Sequence, residues 1–142
     1  MSGDVTAELT PNWGVSYGSS ATRGANGFTP RQLARIDEAL TLSSRETGLT
    51  FSVYVGELAL PTRATAEALF DRLAPAPAPL LIAVSPGQRL LQIVTGAGSA
   101  ARVPNKSCAL AALSMRAAFT SGDLAGGIAI GLRMLADAAG RP

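Results

Sequence analysis

Six residues between positions 95 and 106 have the types and the spacing of a small anion-binding site. They lie in and just after the stretch IVTGAGSAARVPN (residues 93–105) and are Thr95, Gly96, Gly98, Arg102, Asn105 and Lys106. Backbone amides of a glycine-rich turn and of a helix N-terminus can hold an anion, and two cationic side chains add charge. The alternative is a flexible turn flanked by solvated charges, and the sequence leaves both interpretations open.

The glycines of this stretch do not form a nucleotide-binding loop. A dinucleotide fingerprint needs G-x-G-x-x-G opening a helix after a parallel strand. Here GAGSAA has alanine in place of the third glycine, and it follows a strand that we predict to be antiparallel. The lysine pattern of a Walker motif is absent as well.

Two carboxylates, Asp123 and Glu57, are the candidate metal ligands. Asp123 precedes a predicted helix, where an N-cap role also explains it. Glu57 ends a predicted strand, where ligands often bind in open sheets, or it is a solvated strand end. Oxygen ligands suit Ca²⁺ or Mg²⁺, and Asp71 is a third carboxylate that a metal-assisted phosphatase could use. Otherwise the sequence predicts no cofactor.

The amino-acid types present in the chain exclude several classes of function. The 142-residue chain contains no histidine, which excludes Ser-His-Asp and Cys-His catalysis within one chain. Cys108 is the only cysteine, so an intrachain disulfide is excluded, and we expect this thiol to be buried. Ser85 has no base to activate it. We therefore identify no catalytic residue.

Composition and charge indicate a folded domain that does not bind nucleic acid. The chain is 47% hydrophobic and 15% charged, with a net charge of +2. Its basic residues are scattered and aromatic residues are sparse, whereas nucleic-acid binding needs clustered basic residues. We find neither a signal peptide nor a transmembrane segment, and we expect a soluble cytoplasmic protein that could have a protein partner.

Hydrophobic periodicity predicts an alternation of helices and strands. Thr29 as N-cap, Pro30 in the first turn and Gly48 as stop bound the first helix. A strand over residues 49–58 follows, with Tyr54 on the face opposite Phe51 and Val53, and then a helix capped by Thr62. The proline-rich segment APAPAP is expected to be an extended connector.

The second half of the chain predicts a hairpin and two helices. Strands Leu80–Ser85 and Arg89–Thr95 flank a Pro-Gly turn. Pro104 and Asn105 begin a helix whose apolar side we assign to Leu110, Leu113 and Ala117. Asp123 begins the last helix, whose three glycines indicate close packing on a neighbour. The predicted fold is α/β: a small mixed sheet, built from a β-α-β unit plus an antiparallel hairpin, with helices on both faces.

The sequence predicts one folded domain preceded by an N-terminal segment. Residues 29–142 form one α/β domain. Residues 1–28 are rich in Gly, Ser, Thr and Asn and form a flexible or loosely docked segment.

Residues 48–137 resemble a TPM domain, in particular its small soluble actinobacterial branch of unknown function. The stretches that carry the resemblance are GLTFSVYVG, AEALFDRL, LLIAVSPGQRLLQIVTGAG and FTSGDLAGGIAIGL. The resemblance implies the fold predicted above, and for some members an acid phosphatase or metal-binding activity. This chain departs from the family at two acidic positions, where it has APAPAP and Asn105.

The departures favour binding over catalysis. Carboxylates at both positions would face one pocket and could hold a hard cation, but this chain lacks both. The prediction is therefore a non-catalytic TPM-like domain that acts by binding or protein interaction, with an anion site after the third strand. The alternative is a metal-dependent, acid-phosphatase-like enzyme.

Overall fold

The computed structural model describes residues 28–73 and 75–142, so the predictions for residues 1–27 lie outside it. In the described part, three strands and four helices follow the predicted order, and one short helix after the third strand makes five helices in all. The elements are α1 (Pro30–Thr47), β1 (Thr50–Val55), α2 (Thr62–Asp71), β2 (Pro79–Ser85), β3 (Leu90–Thr95), α3 (Ala97–Ala100), α4 (Asn105–Thr120) and α5 (Leu124–Ala139).

The sheet has the predicted mixed topology, in the order β1-β2-β3. β1 and β2 are parallel, with Thr50 opposite Pro79, while β2 and β3 are antiparallel, with Ser85 opposite Leu90. The ends of β1 and β2 and the β2–β3 turn therefore share one end of the sheet, which we call the hairpin end. The exit of β3 lies at the other end.

Strand β2 is covered on both faces. Every residue from Leu80 to Ser85 is buried, which agrees with its almost continuous apolar sequence. Helix α2 covers the face that carries Gln92, since Arg63 of α2 reaches that side chain. Helices α1, α4 and α5 pack together over the other face, and the predicted α/β fold with helices on both faces is confirmed.

Helix α1 begins and ends where its sequence predicts. The Thr29 hydroxyl accepts from the Gln32 backbone N–H at 3.1 Å, and the Gln32 side chain accepts from the Thr29 N–H at 2.8 Å. Gly48 ends the helix in the left-handed conformation (φ +80°), which suits a residue without Cβ.

Two local predictions are wrong. Thr62 is the first residue of α2 and Pro61 occupies the N-cap, with no side-chain cap. The proline-rich connector is not uniformly extended, because Ala76 donates to the Leu73 carbonyl and Ala78 has φ +42°. This bend places the Ala78 carbonyl 3.2 Å from the Thr50 N–H, which extends the β1–β2 pairing.

The apolar side assigned to α4 is also wrong. Leu110 and Leu113 are 51% and 61% exposed, and Ala117 is exposed too. The helix buries Cys108, Ala111, Ala112 and Met115 instead. This buried side faces α5, where Met115 packs against Gly131. The expected burial of the Cys108 thiol is confirmed.

Gly127 and Gly131 of α5 form this close contact. A Cβ at Gly127 would come within 2.7 Å of Phe119 Cδ1, and one at Gly131 would come equally close to Met115 Cγ. Both distances are shorter than van der Waals contact. The glycines therefore set the spacing between α4 and α5.

We expect Gly131→Ala to destabilise the domain although alanine favours a helix. Overpacking costs about 1–3 kcal/mol, and the gain in helix propensity is only about 1 kcal/mol. Met115 is fully buried, so its displacement would disturb neighbouring core side chains. Urea unfolding should show a net loss of stability for Gly131→Ala. The free energy of unfolding of Gly87→Ala should stay within about 0.5 kcal/mol of the wild type, because a Cβ at Gly87 has no neighbour within 4 Å. Equal midpoints for the two variants would contradict the packing argument.

Candidate ligand-binding site

The predicted glycine turn after β3 is a short helix with a buried hydroxyl at its centre. Ser99 of α3 is fully buried. Its Oγ donates to the Pro79 carbonyl at 2.7 Å and accepts from the Gly96 N–H at 3.0 Å. This side chain therefore ties the exit of β3 to the start of β2, and the Gly96 amide already has a partner.

The Arg102 side chain forms its hydrogen bonds within the protein. Its guanidinium donates to three backbone carbonyls: Thr47 at 3.0 Å, Ala139 at 3.2 Å and Gly140 at 2.9 Å. These oxygens lie at the C-terminal ends of α1 and α5, where carbonyls lack intrahelical partners and a cation is favoured. We call this arrangement the Arg102 clamp.

The other predicted anion-site residues are spread along the segment. Thr95 is buried at the end of β3, and its Oγ1 has no hydrogen-bond partner. Gly98 sits against Ala78, where a Cβ would be 3.3 Å from the alanine Cβ. Asn105 and Lys106 are exposed in the first turn of α4. Of the two cationic side chains in this segment, Arg102 is therefore hydrogen-bonded to backbone carbonyls, and Lys106 is exposed to solvent.

The candidate metal ligands Glu57 and Asp123 both belong to the hairpin end. Asp123 caps α5, with its Oδ1 accepting from the Gly126 N–H at 2.9 Å. Glu57 is exposed after β1, and its backbone carbonyl accepts from the Tyr54 hydroxyl at 3.3 Å. Within residues 28–73 and 75–142, no three acidic, cysteine or histidine side chains come together to hold a metal ion.

Burial and the nearby Glu57 carboxylate both raise the pKa of Tyr54, with burial the larger cause. The phenol therefore stays protonated at neutral pH and acts as a hydrogen-bond donor. On the same face of the sheet, the Gln92 Oε1 accepts from Arg63 at 2.6 Å, and its buried Nε2 has no partner. These groups link α2 to the sheet.

A cleft of about 400 Å³ opens at the hairpin end, between the β2–β3 turn and the junction of α4 with α5. We call it the hairpin cleft. Residues 84–86 and 89–91 line it on the hairpin side. On the helical side it is lined by Arg116, Phe119, Thr120, Gly122 and Leu124. None of the lining residues in the described part of the chain is acidic.

Among the described residues, the guanidinium groups of Arg89 and Arg116 are the free side-chain donors of this cleft. In the described part of the chain, ion pairs join only Arg63 to Glu67 and Arg133 to Asp137. The cleft hydroxyls are already used as donors. Thr120 Oγ1 donates to the Arg116 carbonyl at 2.9 Å, and Ser85 Oγ donates to Gln88 Oε1 at 2.6 Å.

Arg89 adopts a backbone conformation that is unusual for its type. Its φ of +56° lies in the left-handed region, which costs a residue with a Cβ roughly 1–2 kcal/mol relative to ordinary backbone. Glycine or asparagine would fit this turn position better. The cleft could not be predicted from the sequence, because the Pro-Gly turn indicates where the chain reverses but not which helix junction faces it.

The chain matches the sequence model of one family, "Domain of unknown function (DUF5130)", over residues 14–136. Two similar relatives are the uncharacterised proteins MT2543 and Rv2468c, each from a strain of Mycobacterium tuberculosis. Each is 30% identical to this chain over 146 residues, which covers 94% of this chain and 87% of the relative. The predicted relationship to uncharacterised actinobacterial proteins is confirmed, while the TPM assignment stays a prediction.

Two solved structures share the fold. The NMR structure of the BA42 protein from Bizionia argentinensis matches with a TM-score of 0.70 and 16% identity, covering 81% of this chain and 83% of that one. The N-terminal domain of a protein from P. gingivalis matches with a TM-score of 0.68 and 18% identity, covering 80% and 78%. At this identity the likeness concerns the fold alone. No helix in the described residues is long and apolar enough to cross a membrane.

We expect Arg102→Ala to lower the free energy of unfolding by about 2 kcal/mol, because it removes charge-assisted hydrogen bonds to two helix ends. Arg102→Lys should recover less than half of the loss, since one ammonium cannot reproduce the guanidinium geometry. The matched control is Arg35→Ala, an exposed helical arginine, which should stay within about 0.5 kcal/mol. Equal urea midpoints for the two alanine variants would contradict the clamp.

Proposed function

We propose that this chain, which belongs to the DUF5130 family, acts by binding a small ligand in the hairpin cleft. The observation that carries the proposal is the pair of arginines, Arg89 and Arg116, which line a cleft of about 400 Å³ without an acidic partner among residues 28–73 and 75–142. That volume lies within the range of small-molecule sites.

The chemistry of the cleft favours binding over catalysis. Nucleophilic catalysis needs a hydroxyl or thiol beside a base. The Ser85 hydroxyl instead donates to the Gln88 amide, and Thr120 donates to its own helix. Both cations are guanidiniums, which hold their protons in proteins and are poor acid–base catalysts.

The alternative binding site for an anion is the one predicted after β3. Lys106 and the first turn of α4 support it, while the engagement of Arg102 by three carbonyls weighs against it. A protein partner also stays a prediction, supported by the exposure of Leu110 and Leu113 on α4. The phosphatase alternative rests on the family resemblance alone.

An NMR titration of the ¹⁵N-labelled full chain tests the proposal with three probes: benzyl alcohol, benzoate and phenyl phosphate. We expect at least one probe to shift the amides of residues 84–91 and 116–124. Thr120→Trp should abolish that binding by filling the cleft. Ala117→Trp is the matched control, because this exposed residue lies on the same helix but does not line the cleft.

Three results would count against the proposal. Shifts confined to residues 95–106 would favour the site after β3. The absence of shifts with all three probes would remove the cleft as a binding site. Hydrolysis of phenyl phosphate in the presence of Ca²⁺, Mg²⁺ or Mn²⁺, lost on Asp123→Asn, would favour the phosphatase alternative.

A further inference from the structure

The hairpin cleft has a polar entrance and an apolar wall. Arg89 and Arg116 are exposed residues at its rim. Leu91 is almost fully buried, and Phe119 and Leu124 are half-buried, so these side chains form the inner wall. A ligand that fills this cleft must therefore present charge at one end and apolar surface at the other.

The charge required at the rim is negative. Each guanidinium offers several N–H donors in a planar fork that matches the oxygens of a carboxylate or a phosphate. Because the cleft hydroxyls already donate within the protein, the arginines are its free side-chain donors in the part of the chain that the structure describes. The acidic groups at the hairpin end, Glu57 and Asp123, do not line the cleft, and Asp123 is held by the Gly126 amide.

We infer that the ligand of the hairpin cleft is a small amphipathic oxyanion: a carboxylate or phosphate monoester bound by Arg89 and Arg116, with an aromatic or branched apolar group against Phe119 and Leu91. This inference rests on the proposed binding function and names its ligand class. Inorganic phosphate alone would leave the apolar wall uncovered, and a neutral aromatic molecule would leave both guanidiniums without an acceptor.

The backbone of Arg89 allows a variant that removes binding without harming the fold. Glycine adopts φ +56° without the penalty that arginine carries there. We therefore expect Arg89→Gly to melt at the same temperature as the wild type or higher. Any loss of binding in this variant cannot be attributed to unfolding.

The test is isothermal titration of the full chain with phenyl phosphate, benzoate, inorganic phosphate and benzyl alcohol. Phenyl phosphate or benzoate should bind at least about tenfold more tightly than inorganic phosphate and benzyl alcohol, and the tighter of the two identifies the oxyanion. Arg89→Gly and Arg116→Ala should each weaken binding by about tenfold or more. Arg35→Ala, which removes one positive charge elsewhere, should leave the affinity unchanged.

Two results would overturn the ligand class, and a third would remove the binding function itself. If benzyl alcohol binds as tightly as the anions, the ligand is apolar although the cleft still binds it. If Arg89→Gly and Arg116→Ala bind phenyl phosphate and benzoate as the wild type does, the arginines do not recognise the anion. If no probe binds at all, the proposed function fails together with the ligand class.

Discussion

Burial of strand β2 on both faces is the constraint on which the rest of the structure depends. A strand with no exposed residue from Leu80 to Ser85 needs a layer of helices on each side. Helix α2 supplies one layer, and α1, α4 and α5 supply the other. Helices α4 and α5 contact each other closely through glycines, and their junction lies beside the β2–β3 turn.

The two ends of the sheet have opposite characters. At the exit of β3, two polar side chains bind backbone carbonyls: Ser99 joins α3 to the start of β2, and Arg102 holds the ends of α1 and α5. At the hairpin end, Arg89 and Arg116 line a cleft and have no acidic partner among the described residues. Arg102 donates to backbone carbonyls and therefore stabilises the fold. Arg89 and Arg116 lie beside an open cleft and are therefore available to a ligand.

Local signals in the sequence were sufficient to predict the order of the elements and every element except the short helix α3. Thr29, Gly48 and Asp123 act within a few residues of themselves, and so their caps could be predicted. The side of α4 that is buried depends on α5, and the leucines were therefore assigned wrongly. The partners of Arg102 lie 37 to 55 residues away in the chain, and no local pattern indicates them. The cleft was missed for the same reason, because it joins a turn to a distant helix junction.

The most direct measurement identifies the protein atoms that lie close to the bound ligand. Intermolecular NOEs between the aromatic protons of phenyl phosphate and the ¹³C-labelled protein report contacts within about 5 Å. The account predicts NOEs from the phenyl ring to Phe119 and to the methyl groups of Leu91 or Leu124, which line the hairpin cleft. NOEs to residues 96–106 instead, from a ligand that binds, would contradict the assignment of the cleft as the functional site.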